Sequence, residues 1–212
     1  MRRLHFEMNE FTPAEAASIT GVSVDQQRNW RRYGYLSKSR RKHARFRAHD
    51  LAAMTIMQTL SERGIGPGAS HKIALLIGAH VIYYACLWTP DAFEDRTGLD
   101  LRWYGTGEKS IAEQVAFFSV LEDADPAQFF VWFADGSSKF VDDLTVAFNR
   151  LYAHEEQVCG ACIVMDLEGI AAALLGRTKR PLFIAELAPD DDAGKFPEID
   201  IASMMKDGGG GA

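Results

Sequence analysis

Thr20-Gly21-Val22-Ser23-Val24-Asp25-Gln26-Gln27-Arg28-Asn29-Trp30-Arg31-Arg32 is the stretch on which the fold turns. Gly21 can take the left-handed conformation that ends a helix, and Ser23 or Asp25 offers a side-chain oxygen to start another. Upstream, Thr12-Pro13-Ala14-Glu15 supplies a cap, a proline at the first helical position and a carboxylate three residues past the cap. A short helix is therefore predicted to run to about Thr20. A second carries Gln26 to Arg32 and ends near Gly34, so two short helices flank a tight glycine turn.

Working outward, residues 36–47 alternate basic side chains with no helical apolar stripe and read as a loop or a two-stranded wing. From Asp50, the residues Leu51, Met54, Met57 and Leu60 recur at helical spacing as far as Arg63-Gly64, which predicts an amphipathic third helix. Gly64-Ile65-Gly66-Pro67-Gly68 breaks the chain before a helix at 73–88 that is apolar all round. That run is somewhat short for a bilayer span and holds His80 at its middle, so it is expected to be buried in protein, with His80 a satisfied core or interface histidine.

Beyond residue 90 the pattern becomes α+β. Ile111, Val115, Phe118 and Leu121 form a helical stripe, and 129–133 with 139–141 read as a β-hairpin around Asp135-Gly136. Leu144, Phe148 and Leu151 predict another helix, 161–165 a strand, 166–175 a helix stopped by Gly176, and 181–187 a strand. The expected organisation is an N-terminal module at 1–70, a connecting or dimerisation helix at 71–90, an α+β region at 91–189 and a flexible acidic, glycine-rich tail at 190–212.

The 212 residues are 47% hydrophobic and 25% charged, enough for a sizeable core, which excludes a disordered or low-complexity chain. Their net charge of −6 conceals two opposed parts. Residues 1–80 hold 13 basic and 6 acidic side chains, and the remainder holds 10 basic and 23 acidic. Arg28, Arg31, Arg32, Lys38, Arg40, Arg41, Lys42, Arg45 and Arg47 share one window that contains no carboxylate, and such a block seeks a polyanion. Three cysteines make no dense disulfide framework, and the start lacks the apolar run of a signal peptide. Both point to a reducing cytoplasm, and no membrane partner is expected.

A helix that enters the major groove needs amide and guanidinium groups near its N-terminus and cations beside the phosphates. Gln26, Gln27 and Asn29 are candidates for bidentate pairing with adenine, and Arg28 for guanine or phosphate. Arg31 and Arg32 are candidates for flanking phosphates, with Lys38, Arg40, Arg41, Lys42, Arg45 and Arg47 neutralising the backbone from the wing. Trp30 and Tyr33 are expected to close the small module's core rather than stack on bases.

Other motifs carry less. Cys159-Gly160-Ala161-Cys162, with His154 before it, has the spacing of a redox pair or half a zinc site. No second pair completes four ligands, and apolar neighbours favour cysteines acting as small hydrophobes. Residues 105–110 lack the first glycine of a phosphate loop. Asp142-Asp143, Glu155-Glu156 and Asp190-Asp191-Asp192 show no acid/base pairing. No catalytic residue, metal or cofactor is expected, and the chain does not read as an enzyme.

The N-terminal residues resemble the winged helix-turn-helix of the MerR family of bacterial transcription regulators. The match reads Phe11-Thr12, Ala16-Ala17, Thr20-Gly21-Val22-Ser23, then Arg28, Trp30, Arg32, Gly34 and Leu36. It continues through Arg45-Phe46-Arg47, Asp50-Leu51 and Leu60 to Gly64-Ile65. The resemblance implies that Arg28 and the wing residues contact DNA and that Trp30 sits at the boundary between helix and backbone. Gln27 stands where the family usually has an apolar residue and Asn29 where it often has tyrosine. An apolar helix and an acidic α+β region follow where the family usually has a long polar coiled coil.

The expectation is an α+β protein, a winged helix-turn-helix followed by an α+β domain, that binds double-stranded DNA as a homodimer and regulates transcription. Its C-terminal domain would serve dimerisation or the sensing of a small-molecule or protein effector. An excisionase-like architectural factor and a CxxC redox enzyme with a DNA-targeting module are the alternatives.

Overall fold

A computed structural model of the protein describes residues 2–36, 44–87, 92–98, 127–145, 148 and 161–189. Lys38, Arg40, Arg41, Lys42, His154, Cys159, the 105–110 segment, the helical stripe at 111–121 and the tail at 190–212 lie outside the described residues, as does most of the helix expected around Leu144 to Leu151. The architecture is α+β, with five helices and two three-stranded sheets among the described residues.

Helix α1 spans Pro13–Thr20. Thr12 caps it through its side-chain oxygen, Glu15 returns the bond to the Thr12 N–H at 2.6 Å, and Gly21 ends it at φ 77°. Helix α2, Val24–Arg32, starts on a second capping box between Ser23 and Gln26. Phe11 and Phe46 form an antiparallel bridge through two backbone hydrogen bonds of 2.7 and 2.9 Å, which ties the residue before the next helix's cap to the start of α1.

Helix α3, Ala48–Ser61, was expected to be amphipathic. Leu51, Met54, Met57 and Leu60 are indeed buried, but so are Ala52, Ala53, Thr55 and Ile56. Its neighbours explain this. It packs along α4 (Pro67–Leu87) and against α1 and α5 (Leu167–Arg177), so little of its circumference meets solvent. Helix α4 begins at Pro67, six residues before the expected start, because a proline suits a first helical turn whose N–H groups are unpaired anyway. At 21 residues it is long and apolar enough to cross a membrane, yet ten of its residues, His80 among them, are buried inside the protein. Leu75 and Leu76 are exposed.

Strand β1, Arg2–Met8, precedes the elements expected in the N-terminal module. It pairs antiparallel with β6, Phe183–Pro189, from Arg2 opposite Pro189 to Met8 opposite Phe183. Strand β2, Phe93–Asp95, joins β6 from the other side in parallel, giving the order β1-β6-β2. Phe6, Phe93 and Phe183 seal the buried face, with ring centroids 5.8 Å and 5.4 Å apart. The second sheet, β4-β3-β5, contains the expected hairpin as β3 (Phe129–Phe133) and β4 (Ser138–Val141), turned at Gly136 with φ 88°, and β5 (Cys162–Asp166) along its other edge. Helix α5 runs through Gly176 to Arg177 rather than stopping at it. One continuous apolar core extends from Phe6 to Ala185, through both the helical module and the α+β part.

Candidate nucleic-acid interface

Two residues fix α2 to the body, and they sort the rest of its side chains. Trp30 is buried, as a large ring must be to close so small a module. Gln27 is buried too, at 2% exposure, and its Nε2 donates to the Pro13 carbonyl at 3.0 Å and to the Val22 carbonyl at 2.9 Å. The expected base contact from Gln27 is therefore corrected. Its amide ties α2 to both ends of the preceding helix and turn, and it cannot reach a groove edge without unfolding that joint.

The other polar side chains are exposed, Arg28, Asn29 and Arg32 on the face opposite those anchors and Gln26 on the flank beside Trp30. They differ in what they have left to give. Gln26 Oε1 accepts the Ser23 N–H at 3.0 Å, so only its amide NH₂ remains for a base or phosphate. No described hydrogen bond engages the Asn29 side chain, which keeps donor and acceptor together for adenine. Arg28 Nη1 holds Asp25 Oδ1 at 2.9 Å, with the two side chains 74% and 85% exposed. An ion pair so open to water contributes about 0–1 kcal/mol and yields readily to a phosphate or guanine. The Arg32 guanidinium lies 5.1 Å above the Tyr33 ring.

Arg31 behaves differently from its neighbours. It is half-buried, with its guanidinium 4.3 Å above the Phe46 ring, and burial lowers its pKa while Asp50 opposes the shift. It braces α2 against the exit of the wing segment. Arg45 and Arg47 stand exposed on that exit, with Arg47 reaching Glu10 at 3.7 Å.

Tyr33 is the second correction. Expected in the core, it is 60% exposed, because it caps α2 just before the left-handed Gly34 and projects outside the module. It stacks on Tyr35 at 5.9 Å, and Tyr35 meets His71 at 5.0 Å, a row that links the end of α2 to the first turn of α4. Two aromatics spaced by a glycine were the available signal.

Among the described residues no group of three His, Cys, Asp or Glu side chains has the arrangement to hold a metal ion. Cys162 is half-buried on β5, and Cys86, buried in α4, has its thiol pKa pushed up by that burial.

Residues 11–75, a little under a third of the chain, match the family described as MerR HTH family regulatory protein. That range takes in α1, the Gly21 turn, α2, α3 and the start of α4. No curated protein matches the chain.

Proposed function

Because residues 11–75 carry a helix-turn-helix of the MerR type, we propose that the protein is a DNA-binding transcription regulator that reads its site with the outer face of α2. The observation that carries this reading is the division of α2 itself. Trp30 and Gln27 anchor one side, leaving Arg28, Asn29 and Arg32 together on the other with Asp25 the one carboxylate among them, and Gln26 exposed on the flank beside Trp30. In the proposed complex Asn29 and the Gln26 NH₂ meet base edges, and Arg28 exchanges Asp25 for guanine or phosphate. Arg32, Arg45 and Arg47, with Lys38, Arg40, Arg41 and Lys42, hold phosphates and set the register. Arg31 serves from behind, through Phe46.

The acidic remainder of the chain is repelled by the duplex, which favours docking through the basic face. A homodimer on a pseudo-palindrome suits a helix this short, since two-fold symmetry doubles the sequence read. The proposed setting is the cytoplasm, the chemistry is binding without catalysis, and the C-terminal region supplies dimerisation or effector contact.

The test begins with genome-wide mapping of sites bound by the purified protein, followed by fluorescence anisotropy on one such duplex. Arg28→Ala is expected to weaken the selected site about five- to 150-fold relative to the intact chain. Arg45→Gln should weaken all sequences alike and lower the slope of log affinity against log salt by about 0.9. Affinity independent of salt would overturn the proposal.

A further inference from the structure

A second concentration of positive charge lies far from α2 in sequence. Of the ten basic side chains after residue 80, three stand at Arg177, Lys179 and Arg180. They border a cleft of about 340 Å³ between α1 and the turn that follows α5. The volume falls at the lower end of the range that small-molecule sites occupy. Phe11 and Ile19 form its apolar floor, and the outer side of α1 contributes Ala14 and Ser18.

The charges in the cleft do not cancel. Glu15 is its one acidic lining residue, and that carboxylate is already committed. It accepts the Thr12 N–H and faces Arg180 Nε at 3.3 Å, and the Thr12 backbone bond is the chief reason its pKa is lowered. Arg180 is likewise occupied, with its guanidinium 4.4 Å above the Phe11 ring and a hydrogen bond to the Glu10 carbonyl. Arg177 and Lys179 are exposed and have no carboxylate partner among the described residues. The neighbouring groove of about 300 Å³ between α3 and α5 is lined by Arg63 and Arg177 against Asp166, so its cationic surplus is smaller.

The chain on either side of the cleft residues Phe11 and Arg180 is pinned together. Asn9 donates through its backbone to the Leu182 carbonyl and through its side chain to the Pro181 carbonyl, both at 2.9 Å. A pre-formed apolar hollow with two unspent cations on its rim fits one class of ligand. We infer that this cleft binds a small organic monoanion, an apolar body ending in a carboxylate or sulfonate, with Arg177 and Lys179 holding the charged end and Ala14 and Ile19 meeting the body beside the Arg180–Phe11 stack. The inference stands apart from the DNA-binding reading, since dye binding and its displacement by octanoate are read before any nucleic acid is added.

The full chain would be titrated with 8-anilinonaphthalene-1-sulfonate and followed by fluorescence, then challenged with octanoate, octan-1-ol and mixed-sequence duplex DNA. Binding of one dye per chain that octanoate displaces far better than octan-1-ol is the expected result. The double change Arg177→Glu, Lys179→Glu should weaken the dye at least about tenfold, as loss of charge-assisted contacts does. Ser18→Trp, on the exposed side of α1, should fill the hollow and block the dye while circular dichroism and thermal midpoint stay unchanged. Dye binding untouched by both variants, as at the exposed Leu75 and Leu76, would overturn the assignment, as would the absence of binding or equal displacement by octan-1-ol. Displacement by the duplex but not by octanoate would assign these cations to nucleic acid and overturn it too.

Discussion

Gln26 and Gln27 are neighbours in sequence that part company at the surface of α2, one exposed and one at 2% exposure. Gln27→Ala should cost about 1–3 kcal/mol of stability, because the Pro13 and Val22 carbonyls lose a buried donor. The variant that remains folded should bind DNA as before. Gln26→Ala removes one arm of the Ser23 capping box, a loss of about 1 kcal/mol or less, and should weaken DNA binding. Urea midpoints paired with anisotropy separate the two effects, and a Gln27 variant that lost affinity at full stability would contradict this division. The exposed set on α2 was legible from residue type alone, since polar amides and guanidinium groups near a predicted N-terminus have few other uses. The burial of Gln27 was not, because its type says base contact while its position, three residues before the buried Trp30 on the same side of α2, says core. Position decided.

At the level of the elements, caps and glycines made α1, α2 and the β3–β4 hairpin readable, as local chemistry dictates them within a few residues. Strand β1 escaped notice although Leu4, Phe6 and Met8 alternate with polar residues, because its partner lies some 180 positions away and a short alternation has no local confirmation. The crowding around α3 was hidden for the same reason. Helix α4 offers a test of the buried histidine. The His80 Nδ1 accepts the Ala127 N–H at 3.3 Å, its ring stacks on Phe140 at 4.0 Å, and burial lowers its pKa against the opposing pull of Asp142. His49, at the start of α3, is lowered by burial as well. Unfolded, both groups titrate near 6.5 and bind more protons than in the folded state, so their contribution is complete above about pH 6.5 and is lost as pH falls toward the folded values. The urea midpoint should therefore drop between about pH 7.5 and 5.5, and His80→Gln should flatten part of that drop. A variant that kept the whole drop would show that His80 is not its source.

For the whole molecule, the helical module and the α+β part share one core, and β1 stitches the first residues to the last described strand. Removing residues 1–8 strips Phe6 from its contacts with Phe93 and leaves one side of β6 unpaired, so the deletion should destabilise the protein by about 3 kcal/mol or more. Urea unfolding of the truncated chain measures it, and an unchanged midpoint would show that the sheet stands without its outer strand. Composition had foretold two regions of opposite charge, and the charges do divide there. What composition could not report is that α5 packs on α1, α3 and α4, since nothing in a charge count records which apolar faces meet.

The pairing of β1 with β6 also sets a timetable for synthesis. The first strand leaves the ribosome with no edge to join, and the helices behind it can assemble long before residues 183–189 emerge. During that interval the nascent protein holds an open, unprotected β-edge at its beginning. A chain cut short between Arg177 and Phe183 would carry α1 to α5 without β6, on a body that never closes, which marks the fragment for chaperone capture or degradation.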